Sequence, residues 1–203
     1  PPGEAANPLL LPLVTGNGTP PAAGSAPNVA VGAGYRDPLS NVQVWRIAGA
    51  GQHHDYSNGP TQISRRFADG HYTVAYGPGT IVDLVPGSGP SNSRGLTVRP
   101  QADLCTTFSY VRPEIVYVVS GGTLYRVNTT TNAREDGDGF PVSGMGSGAC
   151  WLMNSADDQW FSTTSGGQAR VYDVAQGLIR TTSKGGEAYL DRAGGRMLLT
   201  NEG

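Results

Sequence analysis

Lysine is almost absent from this chain: one Lys stands against thirteen Arg in 203 residues. Charge of either sign is scarce, at 15% of residues with a net charge of −2. The arginines are scattered, and Arg65-Arg66 is their only adjacent pair. A chain without a basic face has nothing to grip a phosphate backbone, so nucleic acid is excluded as a partner. Long apolar runs are missing too. Leu9-Leu10-Leu11-Pro12-Leu13-Val14 is far shorter than the ~18 residues of a membrane span and is broken by Pro12, so no membrane span is expected. It fits the remnant of an export region in a mature or trimmed chain. No window repeats its apolar residues every 3.6 positions, so very little helix is expected. Gly-x-Ser-x-Gly, P-loop and dinucleotide fingerprints are all lacking. The Gly-rich stretch Ser143 to Gly148 precedes a strand and not a helix, so it cannot cradle phosphate as a helix N-terminus does.

Glycine and proline are plentiful, at 30 and 15 residues, and 37% of residues are hydrophobic, too many for a wholly disordered chain. Short runs of Val, Tyr, Leu and Ile lie between Gly, Pro, Ser, Thr and Asn, the texture of many short strands joined by tight turns. Residues 1–34 differ from the rest. They are Pro/Gly-rich without alternation and read as an extended tail. With no core of its own, such a tail is ordered by contact, along its own domain or on a neighbour, with Leu9, Leu10, Leu11 and Leu13 as anchors. Residues 35–203 are periodic. Cys105 falls on Cys150 and Ser120-Gly121-Gly122 on Ser165-Gly166-Gly167, both with a shift of 45. Ile115 then matches Trp160 and Val116 matches Phe161, while Tyr125 meets Tyr172 only after a two-residue slip. The turns at Asp69-Gly70, Arg112-Pro113, Asp157-Asp158 and Gly194-Gly195 are spaced by 43, 45 and 37 residues. Four short strands per 40–45 residues is the pattern of propeller blades. The expected fold is all-β: about four four-stranded antiparallel blades over 35–203.

Four pieces, RDPLSNVQVWRIAGAGQHHDYS, RRFADGHYTVAY, RPEIVYVVSGGTLYRVNTTTN and GEAYLDRAGGRMLL, resemble successive blades of secreted bacterial β-propellers of the WD40-like, PD40 repeat type. Distant relatives of that family include the oligogalacturonate lyases. Asp69-Gly70, Tyr125-Arg126-Val127-Asn128 and Tyr172-Asp173 carry the likeness. The resemblance implies six to eight blades, so this chain reads as the N-terminal part of an incomplete propeller, with further blades or a partner chain closing the ring. The His and Gln that hold a metal in the lyase relatives have no counterparts that can be placed here.

Gln52-His53-His54-Asp55-Tyr56-Ser57 is the densest group of functional side chains. Two His and an Asp suit a metal or acid/base pair, yet adjacent residues of a strand face opposite ways. His53, His54, Asp55 and Tyr56 are therefore read either as a hydrogen-bonding corner or as a ligand contact. Asp136 and Asp138, within Glu135-Asp136-Gly137-Asp138-Gly139, resemble part of a calcium loop that lacks its remaining ligand positions; the alternative is an acidic surface turn. Cys105 and Cys150 occupy equivalent points on neighbouring inner strands and are either a disulfide or two buried thiols. Trp45, Trp151 and Trp160 are expected between blades.

The scarcity of Lys and abundance of Gly, Ser and Thr fit a secreted, extracellular or cell-surface protein. The expected function is a non-catalytic β-propeller serving as a binding or scaffold module for protein or glycan in an extracellular assembly, with no cofactor unless calcium binds. The alternative is a polysaccharide-active enzyme, oligogalacturonate-lyase-like, using the propeller axis.

Overall fold

The computed structural model describes residues 29–37, 40–48, 63–77, 79–102, 104–148, 150–183, 188–193 and 196–199. Most of the Pro-rich tail, including its four leucines, and the group from His53 to Tyr56 lie outside the described residues.

Sixteen short strands and no helix occur among the described residues. They form five antiparallel sheets in chain order. The first pairs β1 (Gly34–Arg36) with β2 (Gln43–Trp45). The second runs β3 (Tyr72–Tyr76), β4 (Thr80–Val85), β5 (Gly89–Gly95), and Ile63 adds a single bridge to Val74 at its edge. The third runs β6 (Thr106–Phe108), β7 (Ile115–Ser120), β8 (Thr123–Asn128), with β9 (Ala133–Arg134) and β10 (Val142–Ser143) both pairing with β8. The fourth is an uninterrupted meander of β11 (Trp151–Asn154), β12 (Trp160–Ser165), β13 (Gln168–Asp173) and β14 (Leu178–Thr181). The fifth pairs β15 (Ala188–Leu190) with β16 (Met197–Leu199).

Among the described residues, the expected set of uniform four-stranded units is thus seen strictly only in the fourth sheet. In the third, the outer strand is split. The Gly137–Phe140 bridge, with left-handed backbone at Asp138 and Gly139, turns the chain out between β9 and β10. The repeat itself is more regular than the sequence suggests. Val116 pairs with Val127 in the third sheet, and Phe161 pairs with Tyr172 in the fourth. Tyr172 therefore takes the place of Val127, and the 45-residue register continues without a slip.

Strand alternation explains how the sheets meet. In β7, Val116 and Val118 pack with Ala75, Ile81 and Leu96 of the second sheet region. Ile115, Tyr117 and Val119 pack the other way, with Leu152, Phe161 and Tyr172 of the fourth. All five are buried, so the run IVYVV is apolar on both faces because both are covered. Each such side chain contributes roughly 1.5–3 kcal/mol by leaving water. Val74, Tyr76 and Val82 repeat the pattern one sheet earlier, against Ile47 and Ala48. There Trp45 lies so close to Gly89 that a Cβ would sit 2.5 Å from its ring, which only glycine permits. Trp151 meets Tyr189 of the fifth sheet at 5.7 Å between ring centroids. The sheets are therefore packed face to face in chain order.

Candidate functional site

In the second, third and fourth sheets the turn that follows the bridge at Ile63, β6 and β11 respectively is built on a buried hydroxyl. Ser64, Ser109 and Ser155 occupy this place, 45 and 46 residues apart. The Ser64 hydroxyl accepts the Thr73 N–H at 2.8 Å. Ser109 accepts those of Val111 and Arg112 at 3.0 and 2.8 Å, and Ser155 those of Gln159 and Trp160 at 3.2 and 3.0 Å. In the fifth sheet Asp191 does the same for the Arg196 N–H, at 3.2 Å. Serine suits the position because its short side chain satisfies the main-chain donors that a tight turn leaves open.

These turns are chained to one another. Arg65 donates to the Tyr110 carbonyl at 2.6 Å. The Tyr110 N–H donates to Asp158 at 3.1 Å, and the Ala156 N–H to the Arg192 carbonyl at 2.8 Å. The Arg192 guanidinium lies over the Tyr110 ring, 5.9 Å from its centroid. Residues from four consecutive sheets thus converge at Tyr110.

Beneath Tyr110 lies Asp158, 7% exposed, on left-handed backbone at φ 56°. Its carboxylate accepts from the Ser109 hydroxyl, from the Tyr117 hydroxyl at 3.3 Å, from the Tyr110 N–H, and from the Asn154 amide at 2.7 Å. Asn154 also donates to the Phe108 carbonyl at 3.1 Å and accepts from Thr107 at 2.8 Å. A buried carboxylate is tolerable only when its oxygens are satisfied, and here neutral donors from both sheets do so. Burial, reinforced by Asp158, pushes the Tyr117 phenol far above its ordinary range, so it stays a donor. Burial likewise raises Tyr110. With its oxygens engaged, Asp158 fastens two sheets.

The opposite end of the same seam holds Cys105 and Cys150. They form a disulfide with Cα atoms 5.3 Å apart, and both are buried. The Gln101 amide group reinforces that end by donating to the Gly146 and Gly148 carbonyls at 3.0 and 2.7 Å.

Asp136 and Asp138 are turned to different cations. Asp136 pairs with Arg134 at 2.6 Å, and Asp138, largely exposed, with Arg126 at 3.5 Å. No group of three or more His, Cys, Asp or Glu that could hold a metal occurs among the described residues. Glu135 accepts from Arg112 at 2.9 and 3.2 Å, and these bonds hold its carboxyl below the usual range. A further ion pair, Asp83 with both terminal nitrogens of Arg94 at 2.9 and 3.0 Å, ties the second sheet to the third, because Arg94 also donates to the Thr129 carbonyl. Sequence reading singled out neither the Asp158 group nor the Asp83–Arg94 pair. The recurrence of serine at Ser64, Ser109 and Ser155 is the sequence signal that could have found the former.

The arrangement defines an all-β repeat of small antiparallel sheets packed in series, with their first-strand turns gathered at one end. No protein-family model matches the chain, and no curated protein matches it in sequence. Among solved structures, that of apo AztD from Citrobacter koseri is similar over 63% of this chain, at 15% sequence identity and a TM-score of 0.36. The likeness covers 37% of that protein's chain. No residue role carries over at that level.

Proposed function

We propose that this chain is part of a secreted β-propeller that serves as a non-catalytic binding or scaffold module. Residues 35–203 supply its blades. Further blades or a partner chain complete the ring, and the N-terminal tail packs on a neighbour. The observation that carries this reading is the strand-for-strand 45-residue register between the third and fourth sheets, each packed face to face on the next. Blades in a ring pack in this way, and the turns after their innermost strands gather near the axis. The gathering at Tyr110 is what such an axis-facing surface would look like. Ligand is then held by a rigid surface assembled from several repeats, as in other repeat architectures. Particle images of the purified protein with its natural assembly test the reading: a closed ring is expected, and a straight or open-ended stack overturns it. Incubation with polygalacturonate tests the non-catalytic part. No unsaturated uronide product is expected, and its appearance would make the protein a lyase.

A further inference from the structure

We propose that Tyr110, flanked by Arg65 and Arg192, is a binding point for an oxyanion group, carboxylate or phosphate, carried by the ligand. This names the chemistry of the binding role set out above and rests on that reading. The two guanidiniums come from sheets far apart in the sequence yet converge on one residue. Arg65 is held by the Tyr110 carbonyl at 2.6 Å, and Arg192 lies 5.9 Å from the ring centroid. Both are exposed, and neither meets a carboxylate among the described residues, whereas Arg94, Arg112, Arg126 and Arg134 all do.

The nearby acids are engaged elsewhere. Asp158 is buried under Tyr110 and taken up by four neutral donors. Asp157 accepts from Ser155 at 2.5 Å and from the Gln159 N–H at 3.1 Å. Asp191 accepts the Arg196 N–H. The Tyr110 hydroxyl has no hydrogen-bond partner among the described residues, and burial keeps it a donor. Arg65 sits at the carbonyl of this half-buried residue and Arg192 over its ring, so an anion held at Tyr110 is attracted by both guanidiniums. A guanidinium fork matches carboxylate and phosphate oxygens alike. The site is also preorganised: the Tyr110 main chain is fixed through both its N–H and its carbonyl, so little ordering remains to oppose binding.

The test uses the full chain at low ionic strength, titrated by calorimetry with citrate in one arm and pyrophosphate in the other. In parallel, arginines are modified with phenylglyoxal and mapped by mass spectrometry. Saturable binding in at least one arm is expected, and the arm that binds identifies the oxyanion. Arg65 and Arg192 should be protected by the bound probe, while the exposed Arg99 and Arg180 should not. The double substitution Arg65→Gln and Arg192→Gln should weaken binding by about tenfold or more, equivalent to roughly 1.4 kcal/mol, with Arg180→Gln matching the parent. Should the double variant not fold, the protection pattern of the parent chain decides. No saturation in either arm, equal protection of all four arginines, or unaltered binding by a folded double variant overturns the proposal. None of these readouts depends on ring closure, so a failure here is distinct from a failure of the propeller reading.

Discussion

Asp158 combines two costs that a surface residue escapes: left-handed backbone and a buried carboxylate. Both are sustained because four donors from two sheets meet it. Asp158→Ala leaves those donors without an acceptor and should lower stability by about 2–4 kcal/mol. Asp158→Asn should cost clearly less, since an amide oxygen still accepts and Asn tolerates left-handed backbone. Urea unfolding midpoints of the two variants check the order, and a milder Ala variant would mean that the network does not hold the seam. Asp83 supplies a separate test in acid. Burial favours its neutral form, but hydrogen bonds from Arg94, Asn92 and Thr73 outweigh that, so its folded pKa lies below the ordinary 3.8. A depressed carboxyl pKa contributes stability that is fully present above the unfolded value and is lost as pH falls through the folded one. The parent chain should therefore lose its advantage over Asp83→Asn as pH drops below about 3.8, measured by unfolding at a series of pH values. A stability difference that stays constant through that window would contradict the assignment.

Among the elements, the hairpins were the most legible part of the sequence. Ser120-Gly121-Gly122 and Ser165-Gly166-Gly167 connect β7 to β8 and β12 to β13, with Gly121 and Gly166 at φ 56° and 59°. Neither glycine would crowd a Cβ against anything, so substitution there tests backbone conformation alone. Gly121→Ala and Gly166→Ala should each cost about 1–2 kcal/mol, and the Asn substitutions less. Equal stability for Ala and Gly, read from thermal unfolding, would mean that the turns are not held in this conformation. The two-residue slip at Tyr172 came from matching like residues. The structure matches positions instead, because buried places in β8 and β13 accept Val or Tyr according to the space each inter-sheet layer leaves. The split outer strand of the third sheet was hidden for a similar reason. Glu135 to Gly139 reads as an acidic loop, and nothing local shows that strand pairing resumes after it at Val142. Of the candidate site, the cysteine equivalence was readable from spacing. The meeting of Ser109, Tyr117 and Asp158 was not, because it joins residues across two sheets.

For the whole molecule, the seam between the third and fourth sheets is fastened at both ends, by the disulfide at one and by Asp158 at the other. The two cysteines are 45 residues apart, and closing a loop of that length restricts the unfolded chain by about 4 kcal/mol in the chain-entropy model. The double substitution Cys105→Ala and Cys150→Ala should accordingly lower unfolding stability by about 2–4 kcal/mol. Reduction of the parent chain should reproduce most of that loss, and a chain indifferent to both treatments would mean that the sulfurs are not bonded. The Asp158 fastening also has a direction. The third sheet presents Ser109, Tyr110 and Tyr117, and the fourth answers with an acid at its first turn, where the third itself carries Arg112-Pro113. The third and fourth sheets are therefore keyed like plug and socket. Copying or transposing one unit during evolution would leave a socket empty at one junction and a plug unmatched at another. The order of these two sheets is thus protected against shuffling even though their central strand pairs share one 45-residue register.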